Sequence, residues 1–286
     1  MPEFLNRNME KKMKNREYLI CVDSDGCVMD TMDSKHILCF GPCLVKEWKL
    51  ETWEKEILLR WNEINLYQIT RGINRFHGLA KMLKEVDSTY VEIKGIHELE
   101  RWVKESSELS EMALMQEIKK NGSDILKKAL SWSEQVNEKI NALSYEEKKA
   151  FEGTEKALEK AHRFADIAVV SSANLQAVEE EWERCQVLEY VDRLMTQSEG
   201  SKKDCIRKLL EEGYPTDKVL MIGDAVGDYE AAKKNGVYFY PILVRQESKS
   251  WQEFTQYALD KFLAGEYGGI YQEERVKEFE RNFEKE

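Results

Sequence analysis

The sequence predicts an α/β protein: a parallel β-sheet wrapped by helices, interrupted by a long all-helical insertion. Three observations predict it. Short apolar, β-rich runs alternate with helical patterns after about residue 150. From Ser34 to Ala150 the periodicity is almost wholly helical. Three of the apolar runs end in polar loops that begin with Asp23, Ser171 and Asp224.

The elements follow in order. Tyr18–Val22 is rich in β-formers and too short for a buried helix, so it reads as a central strand. The segment from Ser34 to Ala150 places apolar residues at three- and four-residue steps, as in Ile57, Leu58, Trp61 and Ile64. Within it, Thr70 to Gly78 is basic and bounded by glycine. Glu155–Phe164 reads as a helix and Ile167–Val170 as a strand. Leu175–Cys185 is the next helix, Arg193–Thr196 a weak strand, and Lys202–Glu212 a helix ended by Gly213. Lys218–Ile222 is a strand, Asp228–Asn235 a helix stopped by Gly236, and Val237–Tyr240 the last strand, closed by Pro241. Such alternation builds right-handed βαβ units, whose ligands gather at the carboxyl ends of the strands. From Trp251 the pattern is helical again, with a glycine-rich break at Gly265–Gly269 and no assigned chemistry.

Composition narrows the function classes. The 286 residues carry a net charge of −11, with 34% charged and 42% hydrophobic. An acidic surface without a basic stripe argues against nucleic acid and anionic membrane as partners. No apolar run approaches the ~20 residues of a membrane span. Six cysteines without CxxC spacing read as reduced thiols, and the expected location is the cytoplasm. Oligomeric state is not specified by the sequence. Residues 1–15 are polar and are expected to be a disordered leader, with Met9 or Met13 a candidate start.

The chemistry sits in the loops. Alternation along an extended chain puts Asp23 and Asp25 on one side, with Ser24 pointing away. Two carboxylates held this close repel unless a cation lies between them or one takes a proton. Gly223-Asp224-Ala225-Val226-Gly227-Asp228 is a second acidic strand end. With Asp23 it offers hard oxygen ligands of the kind Mg²⁺ takes. Ser171 offers a hydroxyl and backbone N–H groups to a phosphate oxygen, and Lys202 offers an ammonium at a helix start.

These pieces, in this order, resemble the haloacid dehalogenase superfamily, and within it phosphoglycolate-phosphatase-like members. Motif one, DxDGxxxD, is met by Asp23, Asp25, Gly26 and Asp30. Motif two is met by Ser171, motif three by Lys202 or Lys203, and motif four by Gly223, Asp224 and Asp228. The resemblance implies a Rossmann-like catalytic core at residues 16–34 and 151–250, a helical cap at 35–150, and a C-terminal helical extension at 251–286. The insertion is longer than the family's usual small helical cap, which leaves the substrate open. The cap is expected to close over substrate and exclude water, with Arg71, Arg75 and His77 as candidate substrate contacts or plain surface charge.

The resemblance also implies roles. Asp23 is the nucleophile and Asp25 the general acid and base. Mg²⁺ is held by Asp23, the backbone oxygen of Asp25, Asp224 and Asp228. Ser171 and Lys202 hold the transferring phosphoryl oxygens, with Lys203 the alternative. The implied activity is hydrolysis of a small phosphorylated metabolite through an aspartyl-phosphate. A phosphomutase and a non-catalytic binding protein of the same fold are the alternatives. A dehalogenase is disfavoured because those enzymes lack the second aspartate of the pair.

Overall fold

The computed structural model describes residues 14–284. Five strands form one parallel sheet: β1 Tyr18–Val22, β2 Ala165–Val170, β3 Arg193–Met195, β4 Val219–Gly223 and β5 Tyr238–Pro241. Their order is β3-β2-β1-β4-β5, so the chain reverses direction across the sheet beside β1. Ile20 lies opposite both Ile167 and Leu220, which fixes β1 at the centre.

Both faces of the sheet are covered, which is why the central strands read as unbroken apolar runs. One face carries Ile20, Val22, Ile167, Val169, Leu220 and Ile222 against the helices Thr154–His162 and Leu175–Arg184. The other carries Leu19, Cys21, Ala168, Val170, Val219 and Met221 against Lys202–Leu210 and Val226–Asn235. Each such aliphatic side chain contributes about 1.5–3 kcal/mol on full burial. The polar loops therefore hang from a rigid edge.

The weak strand expected at Arg193–Thr196 is β3, a half-buried edge strand with less apolar pattern to display. Pro241 lies inside β5 rather than after it, and β5 is the opposite edge, where proline costs no ladder bond. The C-terminal segment completes the core of the sheet unit. Trp251, Phe254, Phe262 and Tyr267 fill the first face, and Phe279 the second. Tyr267 donates its hydroxyl to Phe239 O at 2.7 Å, and Gln272 Oε1 accepts from Phe239 N at 2.9 Å. These bonds occupy the backbone of an edge strand that would otherwise invite pairing.

The chain divides into two compact units, Met32–Glu147 and the remainder. The boundaries fall three residues before the expected 35 and 150. The reason is local: Asp30 N donates to Lys149 O at 2.7 Å and Phe151 N to Val28 O at 2.9 Å, tying both strands of the crossing to the sheet unit. The helical unit has its own core, centred on Trp61, Phe76, Leu83 and Trp132. Its helices include Glu54–Asn62, Arg75–Thr89 and Asp124–Asn141. Trp132 Nε1 donates to Phe40 O at 3.2 Å, and Trp61 Nε1 to His36 Nδ1 at 3.1 Å.

The expected disordered leader, residues 1–15, lies outside the described residues except for its last two. Those two correct the expectation at its end. Lys14 Nζ donates to Gly213 O at 3.2 Å and Asn15 N to Asp166 Oδ2 at 2.9 Å. Asp166 is buried on β2 and also accepts from Arg16 N and Tyr214, so its carboxylate anchors the entry to β1. Among the described residues no helix is long and apolar enough to cross a membrane.

Candidate active site

The loop after β1 is shaped by its own backbone. Asp23 N continues the ladder to Ile222 O at 3.0 Å. The carbonyl of Ser24 then accepts from the amides of Cys27, Val28 and Met29, and Gly26 N donates to Met29 O. So tight a turn needs a left-handed residue, and Gly26 supplies it with φ of 79°. Asp23 is buried, and Asp25 is partly buried beside it.

The loop after β4 brings the second acidic pair. Asp228 sits in the first turn of the helix Val226–Asn235, where its Oδ2 accepts from Ala225 N at 3.1 Å. It is therefore a helix-capping residue and a site residue at once. Gly223 is required for that approach: a Cβ at this position would lie 2.3 Å from Asp228 Cγ. Lys202 opens the helix Lys202–Leu210, behind an N-cap bond from Asp204 N to Ser201 Oγ. Its Nζ lies 2.6 Å from Asp228 Oδ1 and 2.8 Å from Asp23 Oδ2. Lys203, one step round the helix, is exposed.

Asp23, Asp224 and Asp228 each present a carboxylate oxygen, and the three oxygens lie within 4.8 Å of one another. All three residues are buried. Burial pushes the Asp23 carboxyl well above its ordinary value; Lys202 opposes this, while Asp228 and Asp224 add to it. For Lys202, burial works against the charge, but the Asp228 and Asp23 carboxylates outweigh it and hold the ammonium above its usual range. The result is an oxygen-only donor set with an excess of negative charge, buried and convergent. Hard divalent cations with oxygen coordination suit such a set, and Mg²⁺ takes one or two protein carboxylates alongside water and substrate oxygens.

The remaining expected residues fall as follows. Ser171 is buried, Ser172 exposed. The Ser171 backbone N–H is not available to an anion: it donates to Met195 O at 2.9 Å, extending the β2–β3 ladder by one residue. Its Oγ accepts from Ala173 N at 3.1 Å. Asn174 is a helix N-cap, accepting from Ala177 N at 2.9 Å. In the helical unit Arg71 is not surface charge; it is buried and donates to Leu66 O at 2.9 Å. Arg75 donates to Ser133 Oγ at 2.9 Å and Asn137 Oδ1 at 2.7 Å, while His77 is exposed. Thr31 went unread in the sequence. It is buried and donates to Asp25 Oδ1 at 2.5 Å, a bond that fixes the second carboxylate. A threonine beside Asp30 carries no spacing signal that could have found it.

No curated protein matches the sequence. Solved structures to which the chain is similar include a haloacid dehalogenase-like family hydrolase from Streptococcus pneumoniae, at 13% identity and a TM-score of 0.47, covering 86% of this chain and 97% of its own. A putative phosphoglycolate phosphatase from Lactobacillus delbrueckii subsp. bulgaricus gives 14% identity, a TM-score of 0.49, and coverage of 79% and 86%. A predicted phosphoglycolate phosphatase from Haemophilus somnus gives 13%, 0.48, and coverage of 79% and 85%. The family model for haloacid dehalogenase-like hydrolases matches residues 86–242, which include Ser171, Lys202, Asp224 and Asp228. That match spans more than half of the sequence, and the chain belongs to the haloacid dehalogenase-like hydrolases.

Proposed function

We propose that the chain is a Mg²⁺-dependent phosphatase acting on a small phosphomonoester through a covalent phosphoryl group on Asp23. The observation that supports this most is the buried convergence of Asp23, Asp224 and Asp228, with Lys202 paired to Asp23 and Asp228, at the carboxyl edge of a parallel sheet. Asp23, Asp224, Asp228 and the backbone oxygen of Asp25 would hold the metal. A bound Mg²⁺ would offset the carboxylate excess and the charge of the incoming phosphate.

The chain's own residues do the rest. An Asp23 carboxylate oxygen attacks phosphorus, and the P–O bond to the leaving alcohol breaks. Asp25 gives its proton to the leaving oxygen, then takes one from the water that attacks the phosphoryl group. Phosphate leaves and Asp23 is regenerated. The hydrogen bond from Thr31 holds Asp25 in a fixed direction for both transfers. Lys202, tied to Asp23, places positive charge where the transferring oxygens gather, and the Ser171 hydroxyl supports the same group. A leaving alkoxide needs a proton and a leaving halide does not, so Asp25 favours phosphoester over haloacid. Substrate choice is assigned to the helical unit inserted after β1.

The test is a phosphate-release screen over phosphorylated metabolites, with and without Mg²⁺. Release that requires Mg²⁺ and vanishes in Asp23→Asn is expected. No release from any compound overturns the proposal.

A further inference from the structure

Ser24 lies between the two motif-one aspartates, and its side chain is buried. A buried hydroxyl needs a partner. It receives one from across the core: Trp182 Nε1 donates to Ser24 Oγ at 2.9 Å. Trp182 is fully buried on the helix Leu175–Arg184, which follows the Ser171 loop. A second indole reaches the same turn. Trp251, fully buried in the helix Glu247–Glu253, donates its Nε1 to Cys27 O at 2.9 Å. Asp25 and Gly26 lie between the two fastened residues.

An indole N–H is donor only, and in an apolar core it has no water to turn to. Each bond is thus made in one geometry or lost. The Ser24 carbonyl also accepts the three amides that close the turn. Fastening the Ser24 side chain therefore fastens the backbone that aims Asp23 and Asp25.

We propose that Trp182 is a positioning residue for the Asp23 and Asp25 carboxylates, acting through Ser24, with Trp251 as the second jaw of an indole clamp on the turn. The proposal rests on the phosphatase reading for its kinetic test and is independent of it in its exchange test. Four proteins decide it: wild type, Trp182→Phe, Ser24→Ala and the double variant. With an aryl phosphate and saturating Mg²⁺, either single change lowers kcat about tenfold, as loss of one buried hydrogen bond to the loop allows. KM stays within about twofold, and the double variant is no worse than the worse single, because both act through one bond. Wild-type kcat in Ser24→Ala, or losses that multiply in the double variant, overturns the proposal. Ser24→Ala leaves the core ring in place and carries the test alone if Trp182→Phe does not fold.

Hydrogen exchange of the full chain needs no turnover. The Cys27, Val28 and Met29 amides exchange about tenfold faster in both single variants than in wild type. Should the wild type hydrolyse no ester, the phosphatase reading falls and exchange alone decides. Unchanged exchange at these amides in Ser24→Ala then overturns the clamp.

Discussion

The two units handle charge in opposite ways. In the helical unit the half-buried Arg60 and Arg75 each have a local complement. Arg60 forks onto Glu85 at 2.6 and 3.0 Å and reaches Glu63 at 2.9 Å. Arg75 rests on Ser133 and Asn137, and Glu111 Oε1 accepts from both of these in turn. In the sheet unit three buried carboxylates converge, two of them paired with Lys202, and burial raises the Asp23 carboxyl rather than settling it. Charge in the first unit organises packing. Charge in the second is an excess that a bound cation would offset.

Substitutions can break that comparison, and the largest effect is on turnover. Asp23→Asn removes the proposed nucleophile while keeping its shape. Phosphate release should fall by on the order of 10⁴-fold or more, with thermal stability unchanged or raised because a buried charge is gone. A steady-state assay beside a melting curve checks both halves.

Next come two changes of similar size but different character. Lys202→Met leaves the carboxylates without their cation and should cost about 3–5 kcal/mol. Trp132→Ala in the helical unit should cost about 3–5 kcal/mol through a cavity. Urea unfolding with and without Mg²⁺ separates them. Mg²⁺ should restore part of the loss in Lys202→Met and none in Trp132→Ala.

Gly223→Ala should be smaller, about 1–3 kcal/mol, from forcing Asp228 aside. Its sharper effect is on the metal: the stabilisation by Mg²⁺ expected in the wild type should disappear. Calorimetry at matched Mg²⁺ concentrations would show it.

The most graded effect is on pH. The folded Asp23 carboxyl binds its proton more tightly than the unfolded one. Below the ordinary carboxylate range both states are protonated and the difference contributes fully. As pH rises from that range to the raised Asp23 value, only the folded state keeps the proton, so stability falls, by at most about 1.4 kcal/mol per pH unit. Mg²⁺ should flatten this slope, and Asp23→Asn should abolish it.

Much of this was legible in the sequence, for physical reasons. β1, β2 and β4 are buried on both faces and so appear as continuous apolar runs, each followed by a polar loop. Asp23 and Asp224 stood out because acidic residues directly after such runs have few structural uses, and Asp228 stood out only as part of the same acidic cluster. Lys202 and Lys203 could not be separated by pattern, since the choice depends on the helix phase set by the Ser201 cap. Thr31 and the two indoles were invisible for another reason. The indole bonds join residues 158 and 224 positions apart, and a tryptophan in a core helix looks the same with or without a partner for its N–H. The burial of Arg71, read as a substrate contact or surface charge, was not legible because a bond to a backbone carbonyl such as Leu66 O leaves no trace in side-chain spacing.

The central claim is a phosphoryl group on Asp23, and trapping it is the most direct test. The full chain is mixed with a phosphomonoester and Mg²⁺, quenched during turnover, and reduced with borohydride, which converts an aspartyl-phosphate to homoserine. Peptide mass spectrometry should find homoserine at position 23, dependent on both Mg²⁺ and ester. Turnover with unmodified aspartate at position 23, or with the label on another carboxylate, would contradict the account.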